Sequence, residues 1–303
     1  MEASENTGQE THCGYVAIVG RPNVGKSTLM NRLLGQKVSI TCRKPQTTRH
    51  QILGIQTRGE YQLIFVDTPG IHSNVKEKAM NRYMNQAALN AMHFVDAVLW
   101  LIEPYWTEAE DLILKHLQGV KVPVVLGINK VDTVKNRGQL LPLIESVSKK
   151  FAFHSIMPLS GKQGIQVDEL ESLLMTFLPK APFFFDADQI TDRSERFLVA
   201  EVIREKLMRF LGQELPYAVT VEINWFKEGE DGLLEIAATI FVERETQKGI
   251  IIGAKGEKLK QIGTEARLDL IKLLERRLFL QLWVKVKSGW SDDERALVSL
   301  GYN

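Results

Sequence analysis

The chain has 303 residues, of which 44% are hydrophobic and 25% are charged, and its formal net charge is +1. This composition suits a globular protein with room for about two domains, and the near-neutral charge excludes a uniformly basic surface. Cys13 and Cys42 are too few for a disulfide framework or a zinc cluster, which favours a reducing compartment. Residues 1–9 are polar without an apolar stretch, so we predict no secretory signal, and runs such as 97–102 are too short to span a bilayer.

The first motif lies between a predicted strand, 15–19, and a predicted helix, 29–34. It fits the phosphate-binding pattern G-x-x-x-x-G-K-[ST], in which backbone N–H groups at a helix N-terminus surround phosphate oxygens. We predict that Lys26 reaches the terminal phosphates and that Ser27 binds Mg²⁺. A glycine-rich turn that binds nothing is the alternative. The predicted phosphate-site residues are Gly20, Arg21, Pro22, Asn23, Val24, Gly25, Lys26, Ser27 and Thr28.

A polar and basic segment, residues 37–49, comes next and is predicted to be a loop. In nucleotide-dependent switches, a threonine in such a segment closes over the magnesium ion and the terminal phosphate. Thr48 is the predicted metal ligand, with Thr47 as the second choice. The alternative is that both threonines only begin the predicted strand 52–57.

The predicted strand 61–66 ends in the sequence Asp-Thr-Pro-Gly. An aspartate at the tip of such a strand can hold magnesium through water, and the glycine N–H can contact the terminal phosphate. The next residue, Ile71, has no polar atom to orient an attacking water, so we expect slow turnover without a partner. The nucleotide site therefore gains Asp67, Thr68, Pro69 and Gly70, and the predicted catalytic residues are Lys26, Thr48, Asp67 and Gly70.

The motif that selects the base follows the predicted strand 122–128 and reads N-K-x-D. An aspartate can accept from both guanine N1–H and N2–H₂, which adenine does not offer, and an unpaired carboxylate costs about 1–3 kcal/mol. A solvated turn is the alternative. A second loop follows a predicted helix, 139–150, and a strand, 154–159. The predicted base-site residues are Asn129, Lys130, Asp132, Ser160, Gly161 and Lys162.

Strands and helices alternate through this half, with further helices at 76–94, 112–117 and 167–177 and a strand at 95–103. Such alternation predicts an α/β domain with a mostly parallel, doubly wound sheet and the ligand at the carboxyl ends of its strands. Prolines then interrupt the pattern. The predicted organisation is a flexible tail (1–14), a nucleotide-binding domain (15–178), a linker (179–192) and a second domain (193–303).

The second domain has a different pattern, with helix 193–211, hairpin strands 217–225 and 233–242, helix 265–279 and strand 282–287. A G-x-x-G turn between helical segments matches the KH signature, whose backbone approaches about four nucleotides. Element order predicts a type II, α+β KH domain. Residues 248–287 hold 10 basic and 4 acidic side chains, although 179–303 hold 19 and 21. The predicted RNA-binding residues are Gly253, Ala254, Lys255, Gly256, Lys258 and Lys260; a solvated lysine face is the alternative.

Taken together, these motifs resemble the Era family of bacterial GTPases over nearly the whole chain. The segments that carry the resemblance are 20–28, 46–49, 67–71, 129–132, 190–197 and 249–256. The resemblance implies a P-loop GTPase that converts GTP to GDP and phosphate with Mg²⁺. It further implies binding of 16S rRNA near its 3′ end, assistance to 30S subunit assembly and rRNA maturation, and no DNA partner. It places the protein in the cytoplasm, with peripheral contact to the inner face of the cell membrane as a further expectation.

Three further points follow from the resemblance. In relatives with the same phosphate loop an asparagine helps to hold K⁺, which makes Asn23 a candidate ligand, with bracing of the loop as the alternative. Two departures are a longer N-terminal tail and Gly161, where the family more often has a small apolar residue. Two competing functions are a membrane-associated signalling GTPase and a nucleotide-sensing RNA-binding assembly factor with negligible turnover.

Overall fold

A computed structural model describes residues 10–42, 44–71, 79–212 and 218–300. Residues 1–9 of the predicted tail, 76–78 of a predicted helix and 217 of a predicted strand lie outside this description. The chain divides into two units, each discontinuous in sequence. The first unit takes residues 1–36, 52–68 and 89–192, and the second unit takes 37–51, 69–88 and 193–303.

The strands and helices follow the predicted order. The strands are β1 (His12–Gly20), β2 (Ile52–Arg58), β3 (Tyr61–Asp67), β4 (Ala97–Ile102), β5 (Val124–Ile128), β6 (Ser155–Pro158), β7 (Thr220–Glu228), β8 (Leu234–Val242) and β9 (Leu278–Val286). The helices are α1 (Lys26–Leu34), α2 (Ala79–Asn90), α3 (Glu108–Leu117), α4 (Leu140–Ser148), α5 (Val167–Met175), α6 (Glu195–Phe210), α7 (Glu245–Ile252), α8 (Glu257–Leu274) and α9 (Glu294–Ser299).

The first unit is built on a six-stranded sheet with the order β2-β3-β1-β4-β5-β6. All neighbouring strands are parallel except β2 and β3, which are antiparallel. Central β4 is buried along its whole length, as expected for a parallel strand covered on both faces. The mostly parallel sheet predicted from the sequence is confirmed. It brings the carboxyl ends of β1, β3, β5 and β6 to one edge, where the predicted nucleotide loops begin.

The first strand starts earlier than the sequence analysis placed it. Residues 12–14 were assigned to the flexible tail, but they belong to β1 and pair with residues 61–63 of β3. Cys13 is fully buried there, packed with Ile55 and Ile64. The tail prediction is therefore wrong for these three residues, because the parallel ladder and an apolar contact extend the strand.

The predicted linker, 179–192, packs within the first unit. Three of its apolar residues, Ala181, Phe183 and Phe185, pack against the cluster around Cys13. Its end pairs with β2, where Ile55 N donates to Ile190 O at 2.9 Å. In the described ranges, no helix combines the length and the apolar character that crossing a membrane requires.

The second unit contains a three-stranded sheet with the order β7-β8-β9. Strands β7 and β8 are antiparallel, whereas β8 and β9 are parallel. Alternate residues of the strands and the apolar faces of α6, α7 and α8 share one core. The order α6-β7-β8-α7-α8-β9 is the predicted type II KH arrangement.

The predicted boundaries of α8 and β9 are wrong. Helix α8 begins at Glu257 instead of residue 265, and β9 begins at Leu278, so Phe279 is a strand residue. A glycine inside the helix, Gly263, lowers helix propensity, but its open side lets Leu282 approach to 3.4 Å from the position of an added Cβ. Glu275 ends the helix in the left-handed region, with φ of 53°.

Candidate nucleotide site and RNA-binding turn

The phosphate loop connects β1 to α1 and is shaped by its glycines. Gly25 has φ of 102°, and an added Cβ would lie 2.3 Å from Asn129 Nδ2. A side chain at this position would therefore be strained and would collide with the base-selecting loop. Asn23 also has a positive φ, 66°, a conformation that asparagine tolerates better than most residues. The loop ends at Lys26, the first residue of α1.

Lys26 is held inside this loop. Its exposed fraction is 6%, and its Nζ donates to the carbonyl oxygens of Gly20 at 3.1 Å and Arg21 at 2.9 Å. Burial lowers the pKa of Lys26 to about 8, although the carboxylate of Asp67 acts in the opposite direction. The ammonium group thus lies beside the backbone that would surround a phosphate, in an environment that favours an added negative charge.

Two predicted magnesium ligands meet at the start of α1. Ser27 Oγ donates to Asp67 Oδ2 at 2.7 Å, which joins the phosphate loop to the end of β3. The neighbouring Thr68 Oγ1 donates to Ile18 O at 2.9 Å and fixes the chain after Asp67. A hydroxyl and a carboxylate are oxygen donors of the kind that Mg²⁺ prefers, so this pair fits the ion.

The base-selecting loops are joined to the phosphate loop by Asn129. Its Nδ2 donates to Val24 O at 2.8 Å, and its Oδ1 accepts from Gly161 N at 3.0 Å. In the same region, Ser160 Oγ donates to Asp132 Oδ1 at 2.6 Å. One side chain therefore connects three predicted nucleotide-site segments. Lys130 lies beside it in the left-handed conformation, with φ of 64°, and Lys162 is exposed.

A charged cluster beside these loops was missed by the sequence analysis. Glu103, just after β4, accepts from Lys130 Nζ and from the Tyr105 hydroxyl, and Arg21 Nη2 lies 3.6 Å from it. Arg21 also pairs with the fully buried Glu110. Burial alone would raise the pKa of Glu103, but the bonds from Lys130 and Tyr105 lower it. Glu103 therefore links the phosphate loop to the base-selecting loop.

A partial signal for this cluster exists in the sequence. Thr107 and Glu110 form a capping box at the start of α3, a T-x-x-E pattern that predicts a helix N-terminus. The pattern does not indicate that Glu110 also pairs with Arg21, because that contact spans 89 residues.

Three predicted site residues, Thr48, Pro69 and Gly70, belong to the second unit. Thr48 is buried, with an exposed fraction of 7%. Strand β2 begins at Ile52, as predicted, so Thr47 and Thr48 lie in the segment that precedes it. Their metal and phosphate contacts stay predictions.

The segment around Thr48 is held by charged side chains of α6. Arg204 donates to Thr47 O and pairs with Glu201 at 2.6 Å, and both charged residues are buried. Glu205, also buried, accepts from Thr41 N at 3.0 Å and from Lys37 Nζ. These contacts lie entirely within the second unit.

Helix α2, which follows the Asp-Thr-Pro-Gly motif in sequence, packs against the C-terminal segment, residues 289–300. Asp292 Oδ1 accepts from Ala79 N at 2.9 Å, and Ser291 O accepts from Met80 N at 3.2 Å. Trp290 is 1% exposed and shares an apolar cluster with Met80. The first turn of α2 is therefore capped by residues that follow the last KH strand.

The G-x-x-G turn joins α7 to α8. Gly253 has φ of 72°, and an added Cβ would lie 2.7 Å from Lys258 Cβ, so this position requires glycine. Lys255 also adopts a left-handed conformation, with φ of 49°. Ala254, Lys255 and Lys260 are exposed, and Lys258 is half-buried. The turn presents its backbone and positive side chains to solvent at the start of α8, and the RNA contacts of these residues stay predictions.

The fold and these two sites define a P-loop GTPase joined to a type II KH domain. A family of GTPases described as 50S ribosome-binding matches residues 15–130, and the KH domain family matches residues 214–291. The chain is 55% identical over 292 residues to GTPase Era of Coxiella burnetii (strain CbuG_Q212), covering 96% of this chain and 98% of that protein. It is 56% identical over 297 residues to GTPase Era of Histophilus somni (strain 129Pt), covering 98% and 99%. The chain belongs to the Era family of GTPases.

Solved structures of Era share the whole fold. A point variant of Aquifex aeolicus Era bound to GDP and AlF₄⁻ is 39% identical, with a TM-score of 0.93. Era in complex with MgGDPNP and nucleotides 1506–1542 of 16S ribosomal RNA gives the same identity, 39%, and TM-score, 0.93. Each comparison covers 96% of this chain and 99% of the solved chain.

Proposed function

We propose that this protein is a GTP-hydrolysing switch that binds 16S rRNA near its 3′ end and assists small-subunit assembly and rRNA maturation. The observation that carries the proposal is the position of Asn129, which bonds to both the phosphate loop and the loop of Gly161 beside Asp132. A guanine nucleotide is the ligand that uses both loops at once. The KH half and the 16S rRNA fragment bound by a solved Era support RNA as the partner.

The proposed chemistry is attack of water on the γ-phosphoryl group. Lys26 exchanges its bonds to Gly20 O and Arg21 O for bonds to phosphate oxygens, and backbone N–H groups of the loop stabilise the charge that develops. Ser27, Asp67 and Thr48 would hold Mg²⁺, which when bound neutralises charge on the phosphate oxygens. A solved Era binds Mg²⁺ together with GDPNP.

Hydrolysis requires a group that positions the attacking water. Directly after the Asp-Thr-Pro-Gly motif, where such a side chain would stand, this chain has Ile71. Ile71 is apolar and 4% exposed, so it neither orients nor activates water. We propose that backbone groups or an RNA or ribosomal partner position the water. Turnover that is equally fast with and without RNA or 30S subunits would contradict the partner-supplied version of this mechanism.

A more detailed proposal is that Asn23 helps to hold a K⁺ ion beside the phosphates. It is supported by the exposed position of Asn23 in the phosphate loop and by its left-handed backbone. Turnover in potassium chloride should exceed turnover in sodium chloride at equal ionic strength, and Asn23→Ala should remove the difference. Equal turnover in the two salts would exclude the ion.

The proposed location is the cytoplasm, with peripheral contact to the inner face of the membrane. Family membership supports the cytoplasm, together with free cysteines at positions 13 and 42. The membrane contact predicts co-flotation with anionic vesicles that persists in Gly253→Asp/Gly256→Asp, whereas that variant loses the specific recognition of 16S nucleotides 1506–1542. Absence of co-flotation would contradict the membrane contact alone.

The main test measures GTP turnover and RNA binding in the full chain. Lys26→Ala should lower turnover by about 100-fold or more, because it removes the main side-chain cation at the phosphates. Affinity for 16S nucleotides 1506–1542 should depend on whether GDPNP, GDP or no nucleotide is bound. Negligible wild-type turnover would favour the nucleotide-sensing assembly factor, and equal RNA affinity in all three states would contradict the switch.

A further inference from the structure

We propose that the outward face of the KH sheet is a second binding site, which takes the stacked bases of single-stranded RNA. The aromatic sheet face, as we name it, consists of Trp225, Lys227, Phe279, Trp283, Lys285 and Lys287. The proposal rests on the proposed RNA-binding function but concerns a different surface. Helices α7 and α8, which carry the G-x-x-G turn, pack with the sheet core through Ile251 and Ile262, so the turn lies on the helical side.

Strand β9 provides the clearest evidence for this face. Leu278, Leu280, Leu282 and Val284 point into the core shared with the helices, so the residues between them point outward. Two of the outward residues are large aromatic side chains that are about half exposed: Phe279 at 49% and Trp283 at 46%. Burial of such rings is favourable, so two of them on the outward face of one strand, with Gln281 between them, mark this face as a candidate binding surface.

Strand β7 adds a third aromatic ring, that of Trp225, at a point where its pairing with β8 is irregular. The register of β7 against β8 shifts between Ile223 and Trp225, and Trp225 is 50% exposed. Trp225 lies opposite Ala237, which in turn pairs with Gln281 of β9. A small residue, Ala237, therefore lies between the two outer strands, and two strand spacings, about 10 Å, separate β7 from β9.

Lysines lie close to aromatic rings on these strands. Lys227 Nζ lies 5.9 Å from the centroid of the Trp225 ring, and Lys287 Nζ lies 5.8 Å from that of Phe241. A cation at such a distance is attracted by the face of a ring, and it keeps a positive charge beside the aromatic surface.

The lysines at the end of β9 favour a polyanion over an apolar partner. The face also carries two exposed acidic residues: Glu235 pairs with Lys227 across the ladder, and Glu222 pairs with Thr239. Strand β9 itself has no acidic residue, and Lys285 is exposed on it, two residues beyond Trp283. The positive charge of the face is therefore concentrated at the end of β9.

Aromatic rings interleaved with lysines are the features that bind single-stranded RNA with little sequence preference. Each ring can stack on a base, and each lysine can contact a phosphate. A switch that holds a specific segment at the G-x-x-G turn gains from a second surface that retains the neighbouring nucleotides, because the second contact is then intramolecular. The aromatic sheet face supplies that surface.

The experiment uses the full chain carrying Gly253→Asp/Gly256→Asp, so that the first RNA site is disabled. The probe is a fluorescein-labelled, unstructured RNA of about 16 nucleotides. In this background Trp283→Ala should weaken binding by about ten-fold, whereas Trp283→Phe, which retains a ring, should lose about three-fold or less. Leu268→Ala is the matched control, because Leu268 is 49% exposed on α8, away from this face, and it should leave affinity unchanged.

Two further readouts separate stacking from a structural effect. Lys285→Ala should reduce the salt dependence of binding by about one counterion. Intrinsic tryptophan fluorescence should be quenched by unlabelled RNA, and Trp225→Phe/Trp283→Phe should remove the quenching while most affinity remains. Circular dichroism confirms that each variant is folded.

Either of two results would overturn the inference. One is the absence of residual RNA binding once the G-x-x-G turn is disabled, and the other is residual binding that Trp283→Ala/Lys285→Ala leaves at its original strength. Both results leave the proposed function intact, provided that the wild type binds 16S nucleotides 1506–1542 much more tightly than the G-x-x-G variant does.

Discussion

The base-selecting loops of the first unit and residues 37–50 of the second unit are both irregular segments, but different chemistry holds them. In the first unit, one neutral side chain, Asn129, bonds to backbone atoms of two neighbouring loops. In the second unit, residues 37–50 depend on buried charges of α6, among them Arg204 and Glu205. The two regions differ in the free energy needed to bury their polar groups. Removing a neutral amide from water costs less than removing a charge, and a buried charge is stable only while its partner remains.

We expect the bonds of Asn129 to hold the base-selecting loops with or without nucleotide, and the charges of α6 to allow residues 37–50 more than one arrangement. Bonds to backbone within a sheet edge vary little, whereas an ion network has discrete paired and unpaired states. Segments that order around a nucleotide need such alternatives. The charges on α6 are therefore the contacts whose loss should change residues 37–50 most strongly.

The largest effect is expected from Arg204→Ala. Arg204 and Glu201 are 2% and 6% exposed, and the substitution leaves the Glu201 carboxylate buried without its guanidinium partner. Losing one member of a buried pair costs about 3–5 kcal/mol, which denaturant unfolding of the full chain would measure. Glu201→Gln in the Arg204→Ala background should recover a large part of this loss. An unchanged unfolding midpoint in Arg204→Ala would show that water replaces the pair.

The sequence predicts features that depend on local patterns, but it does not predict contacts between residues that are far apart in the chain. The N-K-x-D motif lies at a strand tip, so a local pattern was enough to single out Asn129, whose amide makes bonds to two neighbouring loops. The bond from Arg204 to Thr47 O spans 157 residues, and no local pattern indicates it. The start of α8 was missed for a related reason, because Gly263 lowers propensity locally and is compensated only by packing against Leu282.

The second prediction tests the neutral brace. Asn129→Ala leaves the Val24 carbonyl and the Gly161 N–H without this partner, and we expect about 2–3 kcal/mol of lost guanine-nucleotide affinity. Asn129→Asp retains the acceptor for Gly161 N but places a buried carboxylate oxygen against Val24 O, so its affinity should be no higher than that of the Ala variant. Isothermal titration with GDP and GDPNP measures both variants. An Asp variant that binds clearly more tightly than the Ala variant would show that the bond to Gly161 N matters more than the neutral bond to Val24 O.

The third prediction concerns pH and His50, within the second unit. The pKa of His50 is lowered to about 4, mainly by burial and also by Arg204, Arg193 and Arg49, while Glu201 acts in the opposite direction. Between pH 6.5 and 4 the unfolded state therefore binds a proton that the folded state does not, so stability falls as pH falls. The expected loss is about 1.5 kcal/mol between about pH 6.5 and pH 5.

The control for this effect is His50→Gln, which cannot be protonated. Its absolute stability should fall because it loses the edge-on contact with Phe197, whose ring centroid lies 5.2 Å away. Its unfolding free energy should nevertheless depend less on pH over this range than that of the wild type. Equal pH dependence in the two proteins would assign the acid sensitivity to carboxylates such as Glu201, whose lowered pKa gives the same sign at lower pH.

The smallest effect is expected at the start of α2. Asp292→Ala removes the acceptor for Ala79 N, and loss of a helix cap costs about 1 kcal/mol. The matched control is Glu294→Ala, because its pair with Arg82 spans 3.5 Å between exposed side chains and should contribute little. Hydrogen exchange of the first turn of α2 should accelerate in Asp292→Ala and stay unchanged in Glu294→Ala. If it does, a segment that follows the last KH strand stabilises the helix that follows the Asp-Thr-Pro-Gly motif in sequence. Equal exchange in both variants would leave Trp290 packing as the contact that holds α2.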